Sequence, residues 1–471
     1  MADFDDLVHD TWLSSDAAVP KRFLRPVLQF TRVEAAGGIV LLIAAVIAIV
    51  WANSPWYESY FAVFETRVEL SGYVIEINES IKDLINDGLM AIFFFVVGLE
   101  IKRELVVGEL NSFKKASLPA LAALGGMVVP ALIYVAFVAG TGDPEALRGW
   151  GIPIATDIAF SVGVVALLGS RVSVGAKLFL LALAIVDDIG AIAVIAVFYT
   201  DELKIGYLIF AIGVLVAGYL GRRVGIASML FYVPIGIIVW YAFLESGVHA
   251  TIAGVALGLL TPVRARYSDE QFRQKAIAVL DRWDLNRASR HATERLDHDA
   301  LELAEVAKAS VSPLNRLEHA LHPWSSFVII PLFALANAGV RFVGSDTPFG
   351  EQLTSPILLG VAVGLMVGKP VGITIATWIG VKLKLGVLPR RTSMKTIVGL
   401  GFLAGIGFTV SLFVTELAFR LPIFGNEAKL GIFIGSGVAG AVGYLILRSL
   451  RTPAEEYEEA AEDLAESTEP A

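Results

Sequence analysis

The sequence predicts an all-α polytopic membrane protein of about twelve spans, and three observations predict it. Of its 471 residues, 56% are hydrophobic. Apolar runs free of charge recur at 37–52, 118–139, 205–220 and 431–447, approaching or reaching the length a helix needs to cross a bilayer. Basic residues alternate between rich and poor connections, which is the charge asymmetry of a chain that weaves through a membrane.

The elements follow in order. Residues 1–33 form an N-terminal segment whose acidic stretch, 3–16, reads as solvated chain. The opening MADFDDLVHD lacks the basic start and early apolar core of a secretory signal, so the first apolar run is expected to be a retained span. Spans are predicted near 34–53, 83–101, 117–139, 150–169, 177–199, 205–220, 226–243 and 247–262. Four more follow near 324–344, 356–379, 396–417 and 428–447, so transmembrane blocks cover 34–262 and 324–447. The rich connections hold Lys21, Arg22 and Arg25; Lys102, Arg103, Lys114 and Lys115; Arg171 and Lys177; Arg222 and Arg223. Further along they hold Arg264 and Arg266, then Lys382, Lys384, Arg390, Arg391 and Lys395, then Arg448 and Arg451. Single residues such as Arg148, Lys204 and Arg341 occupy the poor ones. Loops rich in Lys and Arg stay in the cytoplasm, which places both termini there.

Three non-spanning segments complete the chain. FETRVELSGYVIEI, at 64–77, alternates polar and apolar residues around Ser71-Gly72 and predicts a small β-hairpin on the outer face. Residues 263–323 form a charged cytoplasmic insert with helical periodicity at 273–282 and 299–308, and they hold no phosphate loop or nucleophile motif. Residues 448–471 form an acidic tail read as disordered and cytoplasmic. The chain has no cysteine, which excludes disulfides and thiolate metal sites. Neither a bound cofactor nor a nucleic-acid partner is expected.

Charges at membrane depth are costly and mark function by default. Asp87 lies in span 2, Asp157 in GIPIATDIAF, Asp187 and Asp188 in LALAIVDDIGAIAV, and Lys369 in GLMVGKPVGI. Adjacent helical residues point about 100° apart, so Asp187 and Asp188 can line one aqueous cavity without touching. Desolvation disfavours a charged carboxylate, and a second one nearby disfavours it further, so such a pair titrates as a unit. Hard cations such as sodium favour oxygen ligands. Proton and cation then compete for the same oxygens, and access alternating between two sides suffices for exchange. Gly151 and Pro153 before Thr156-Asp157, and Gly405 and Gly407 before Thr409, predict breaks in spans 4 and 11. Broken helices expose partial charges, which Asp157 and Lys369 can offset at N- and C-terminal ends respectively. Gly360, Gly364 and Gly368, like Gly431 and Gly435, have the small-residue spacing of close helix packing.

NDGLMAIFFFVVGLEIKREL, IATDIAFSVGVVALLGSRV, LAIVDDIGAIAV, SGVHATIAG, RLEHALHPW, PLFALANAGV, GKPVGI and GIGFTVSLF, in this order, resemble the NhaA-type sodium/proton antiporter family over about residues 34–450. The resemblance implies inverted repeats in spans 3–5 and 10–12, with discontinuous spans 4 and 11 crossing near the midplane. It implies Asp188 as the principal sodium ligand, Asp187 as the partner in sodium and proton binding, and Lys369 as the lysine paired with Asp187. Thr156 and Asp157 resemble the accessory residues of span 4. Implied too are electrogenic exchange moving more protons than sodium, acceptance of lithium, and a homodimer contact through the hairpin. The setting implied is a bacterial inner membrane. Glu318, His319 and His322 match a cytoplasmic pH-sensing cluster, with Glu104 as its partner; histidine titrates in the useful range. His249, in SGVHATIAG, reads equally as a packing or a pH-responsive residue. The long insert and the acidic tail depart from the compact family pattern.

Two other classes fit parts of this pattern. Aspartates on two spans also describe an intramembrane aspartyl protease, although Asp157 follows Thr156 and Asp188 follows Val186-Asp187, and Lys369 has no place there. A sodium-coupled symporter shares discontinuous helices but needs polar or aromatic contacts for an organic solute.

Overall fold

The computed structural model describes residues 36–71, 76–200, 203–224, 226, 229–286, 292–342, 349–389 and 391–450. The N-terminal segment, the hairpin turn and nearly all of the acidic tail lie outside them. Eight helices among the described residues are long and apolar enough to cross a membrane, or ten when two bent pairs each count as one span. Two shorter apolar helices, Phe231–Ser246 and Thr251–Leu260, accompany them. The first helix, Ala36–Ala52, shows why these are membrane elements. Leu41, Ala45, Ala48 and Ala52 face inward while Leu42, Ile43, Val46, Ile47 and Val50 form an exposed apolar stripe. An apolar stripe of that kind suits lipid and is unfavourable in water.

The chain divides into two compact units. The first comprises 1–86, 112–199 and 326–471. Its centre is the contact between Phe113–Val138 and Lys369–Lys382. A Cβ on Gly125 would strike the Gly372 carbonyl, and one on Gly372 would strike that of Gly125. Glycine is required at both because backbone meets backbone. Gly368, Gly431 and Gly435 likewise abut Pro130, Leu358 and Ala362, so their spacing serves packing. Strands β1 (Arg67–Ser71) and β2 (Glu76–Ser80) pair antiparallel with Arg67 opposite Ser80. The hairpin expected at 64–77 therefore forms, displaced by three residues at each end.

The second unit comprises 87–111 and 200–325. Met90–Val106 packs on Thr251–Leu260 through Gly98, Gly254 and Gly258, each of whose Cβ positions the facing backbone occupies. Ile205–Arg223 and Met229–Ser246 share a core of Ala211, Val239, Ala242 and Phe243. In the insert, helices Asp269–Asn286 and Ala292–Ser310 pack together with Val279 and Val306 buried.

The span expected at 324–344 instead runs as Pro313–Asn337, with a π turn at Ser325–Ile329. A second π turn, Gly364–Gly368, directly precedes Lys369. Each lies just before a proline, Pro331 and Pro370. Proline lacks the N–H for an i→i−4 bond and its ring crowds that carbonyl, and a widened turn accommodates both faults without breaking the helix. Charged Lys369 is thereby carried inside an otherwise continuous span.

Candidate functional site

Spans 4 and 11 are both interrupted. Gly149–Ile154 is a 3-10 segment, Ala155 and Asp157 are extended, and a helix resumes at Ile158–Leu168. Met394–Ala404 and Phe408–Ala418 meet at a bend of 47° around Gly405-Ile406-Gly407. The interruptions bind each other. The Asp157 N–H donates to the Ile406 carbonyl at 2.6 Å, and Ser161 Oγ to that of Leu403 at 2.7 Å. From the other side, Ser411 Oγ donates to the Ile152 carbonyl at 2.8 Å. Non-helical backbone at membrane depth needs such internal partners, since hydrocarbon supplies none. A Cβ on Gly407 would crowd the Ala155 carbonyl and Ser411 Oγ, which is why glycine stands at this crossing.

Asp157 is buried at the crossing. Its Oδ1 accepts from Phe160 N at 3.0 Å, capping Ile158–Leu168. Its Oδ2 accepts from Thr409 N at 3.1 Å and Thr409 Oγ1 at 2.7 Å, at the start of Phe408–Ala418. One carboxylate thus spans the N-termini of two half-helices. Burying it costs several kcal/mol, and three charge-assisted bonds at roughly 1.5–3 kcal/mol each, with two positive helix ends, offset that cost. Both oxygens are engaged in holding backbone. Asp157 is therefore not placed to act as the mobile half of a protease dyad.

The second carboxylate is arranged differently. Asp187, from helix Val174–Phe198, forms an ion pair through Oδ2 with the fully buried Lys369 ammonium. Thr156 Oγ1 accepts from Lys369 Nζ at 2.5 Å. It also lies 2.5 Å from Asp187 Oδ2 and 2.9 Å from the Ala404 carbonyl. A hydroxyl has one proton, so Thr156 donates either to the carboxylate or to the end of Met394–Ala404. Asp187 Oδ1 is buried with no hydrogen-bond partner among the described residues. An acceptor left bare at this depth has the form of a site for a proton or a cation. Asp188, also buried, acts electrostatically on the same ammonium. Lys369 was expected both to offset C-terminal helix ends and to pair with Asp187; its contacts go to Asp187 and Thr156, and it is Thr156 that reaches the Ala404 carbonyl. Thr156, Asp157, Asp187, Asp188 and Lys369 all lie in the first unit.

The remaining candidates lie in the second unit. Asp87 falls in the π turn Leu84–Leu89, and its carbonyl accepts from Trp240 Nε1 at 2.8 Å. Arg103 Nη1 pairs with Glu318 Oε1 at 2.5 Å, and its Nε lies 3.8 Å from Glu104 Oε1. Glu104 also accepts from Glu109 N at 2.9 Å. His319 and His322 are exposed on the same helix as Glu318, and His249 is partly buried before Thr251–Leu260. Sequence reading missed the bridging part of Arg103, which was counted only as a basic loop residue. It missed Glu100 too, which feels the charges of Arg103, Glu104 and Glu318. Spacing carries a faint signal, because Glu100, Arg103 and Glu104 share one helical face. In the insert, His298, Asp299 and Glu302 present ligand atoms within 4.8 Å of one another. Arg282 pairs with Glu302 and lies 3.9 Å from Asp299, and Asn286 Nδ2 donates to Asp299 at 2.7 Å. The cation those acids need is already the arginine.

A family model described as Na+/H+ antiporter 1 matches residues 28–447. The Na(+)/H(+) antiporter NhaA 2 of Syntrophotalea carbinolica is 46% identical over 426 residues, 90% of this chain and 96% of the relative. The Na(+)/H(+) antiporter NhaA 1 of Klebsiella pneumoniae is 46% identical over 428 residues, covering 89% and 95%. The Na(+)/H(+) antiporter NhaA of Citrobacter koseri is 43% identical over 433 residues, covering 90% and 98%.

Proposed function

This chain belongs to the Na+/H+ antiporter 1 family, and from that premise we propose that it exchanges sodium, and also lithium, for protons across a bacterial cytoplasmic membrane. It is a secondary active transporter and not an enzyme. The observation that carries the mechanism is Asp187 Oδ1, a buried acceptor without a hydrogen-bond partner among the described residues, beside a lysine that neutralises only the other oxygen.

The cycle follows from competition. With Asp188 the principal ligand and Asp187 its partner, a sodium ion entering the site brings one positive charge that the paired carboxylates balance. Protons arriving at the same carboxylates remove that negative charge and weaken the hold on the cation. Lys369 makes the two occupants more unequal. Without a cation, ionised Asp187 compensates the ammonium and Lys369 keeps its proton; a cation taken up by Asp187 displaces the ammonium, which sheds that proton while Asp188 sheds another. More protons than sodium ions then move per cycle, and exchange is electrogenic. Thr156 follows the change of state, since its single proton goes to Asp187 or to Ala404. Asp157 holds the crossing together through both oxygens, so the ion is handed to Asp187 and Asp188.

The finer architecture belongs to the same reading. Counting the bent pairs and the two short apolar helices as spans gives twelve, with both termini cytoplasmic. Spans 3–5 and 10–12 form inverted repeats whose broken members are those at 149–168 and 394–418. Lipid surrounds the spans, and β1 and β2 carry a homodimer contact. Glu104, Glu318, His319 and His322 form the pH-sensing group, with Arg103 holding the two glutamates, while Asp87 and His249 are accessory. Residues 263–323 are a cytoplasmic insert, and 1–33 and 448–471 are cytoplasmic ends.

Everted vesicles holding a proton gradient are expected to lose it when sodium is added. The absence of sodium-linked proton movement between about pH 6 and 9 refutes the assignment. Neutralising Glu318 or His322 should move the pH of activation; an unmoved profile removes them from pH sensing.

A further inference from the structure

We propose that Lys82, Glu416 and Lys429 form a charge-sharing latch that closes the hairpin side of the crossing and opens once in each cycle; this rests on the exchange reading above. Lys82 Nζ meets Glu416 Oε2 at 2.5 Å, and Lys429 Nζ meets Glu416 Oε1 at 2.7 Å. Each oxygen of one carboxylate takes one ammonium. One cation suffices to neutralise a partly buried carboxylate, and the second leaves the cluster with an excess positive charge, which a purely stabilising ion pair does not need.

Their placement in the fold explains the second cation. Glu416 stands in the last turn of Phe408–Ala418, whose first turn carries Thr409 on Asp157. Lys429 stands on the next helix, Pro422–Arg448, after a connection of three residues. That connection is tied down, because Glu145 Oε1 accepts from both Arg420 N and Leu421 N at 2.7 Å. The Glu416–Lys429 pair thus lies within one hydrogen-bonded body that includes the crossing. Lys82 stands on a separate segment of the same unit. It sits in the turn Ile81–Asp83, capped by Ser80 at the end of β2, and the Ile81 N–H donates to the Thr66 carbonyl at 3.0 Å. Four residues on, Asn86 and Asn337 exchange amide hydrogen bonds, which ties this segment to Ile330–Asn337.

The two pairs differ in burial as a latch requires. The Lys429 side chain is 8% exposed and that of Lys82 is 29% exposed. When the crossing moves, Lys82 leaves into water while Lys429 keeps Glu416 neutralised, so opening strands no charge. The Lys82–Glu416 pair then biases the balance between the state closed on the hairpin side and the state open there, and changing Lys82 shifts populations without touching the ion site.

The test uses Lys82→Arg, Lys82→Gln and Lys82→Glu in oriented proteoliposomes, each retaining the Glu416–Lys429 pair. Half-saturating sodium is measured separately at each face. With Lys82→Gln, and about threefold or more with Lys82→Glu, it should fall at the hairpin face and rise at the opposite face, while Lys82→Arg leaves both unchanged. A merely structural role lowers the maximal rate or moves both constants the same way, and either result overturns the latch. Should Lys82→Glu fail to insert, Lys82→Gln decides alone. A wild-type chain inert toward sodium overturns the exchange reading and the latch with it, whereas an active wild type with indifferent Lys82 variants overturns the latch only.

Discussion

At the residue scale, the two carboxylates of the crossing differ in what holds them. Asp157 is satisfied by backbone and hydroxyl donors at two helix starts, and Asp187 by Lys369 and Thr156 on one oxygen alone. Asp188→Asn should abolish exchange, with sodium-driven proton movement falling about a hundredfold or more, because an amide neither takes up a proton at working pH nor offers a charge to sodium. Retained wild-type flux refutes its assignment as ligand. Lys369→Ala leaves Asp187 buried without its counter-charge, and the loss should be of the order of 3–5 kcal/mol in melting experiments in detergent. Adding Asp187→Asn to that variant should return much of the stability, since it removes the stranded charge; a strictly additive further loss contradicts the pairing. The aspartates and Lys369 were legible in the sequence because charge within apolar runs is rare. The pairing of Lys369 with Thr156 was not, since it joins residues 213 apart in sequence.

At the element scale, close backbone contact and interrupted helices place the site. Phe113–Val138 meets Lys369–Lys382 at Gly125 and Gly372, in the first two turns of the helix that opens with Lys369. Gly372→Ala should force these helices apart and destabilise the protein by about 1–3 kcal/mol. An unchanged melting temperature counts against that contact. The breaks in spans 4 and 11 were legible from glycine and proline, because both residues depart from regular helix. The π turns before Lys369 and Pro331 were not read, although each proline carried the signal: a missing donor inside an apolar run. The early start of the helix at Pro313 escaped as well, because RLEHALHPW is polar enough to resemble a surface connection.

At the scale of the whole molecule, one site serving two kinds of ion predicts competition. Lowering the pH should raise half-saturating sodium, by about tenfold per pH unit where a single proton competes, and leave the maximal rate at saturating sodium much less affected. A half-saturation that ignores pH means that the two ions occupy separate sites. Run length anticipated a many-span helical protein, and eight to ten helices among the described residues are long and apolar enough to cross a membrane, while Phe231–Ser246 and Thr251–Leu260 are shorter than full spans.

The sequence by itself determined the membrane class and which charges stand inside apolar runs, and with them a proton- or cation-handling chemistry, because apolar length and isolated charge are local properties written directly in residue types. The tertiary structure alone decided which oxygen stays bare, which carboxylate serves as a cap, and that Glu416 is shared by Lys82 and Lys429. Those facts depend on atoms brought within 3 Å from segments tens to hundreds of residues apart, and no periodicity along the chain encodes such a meeting.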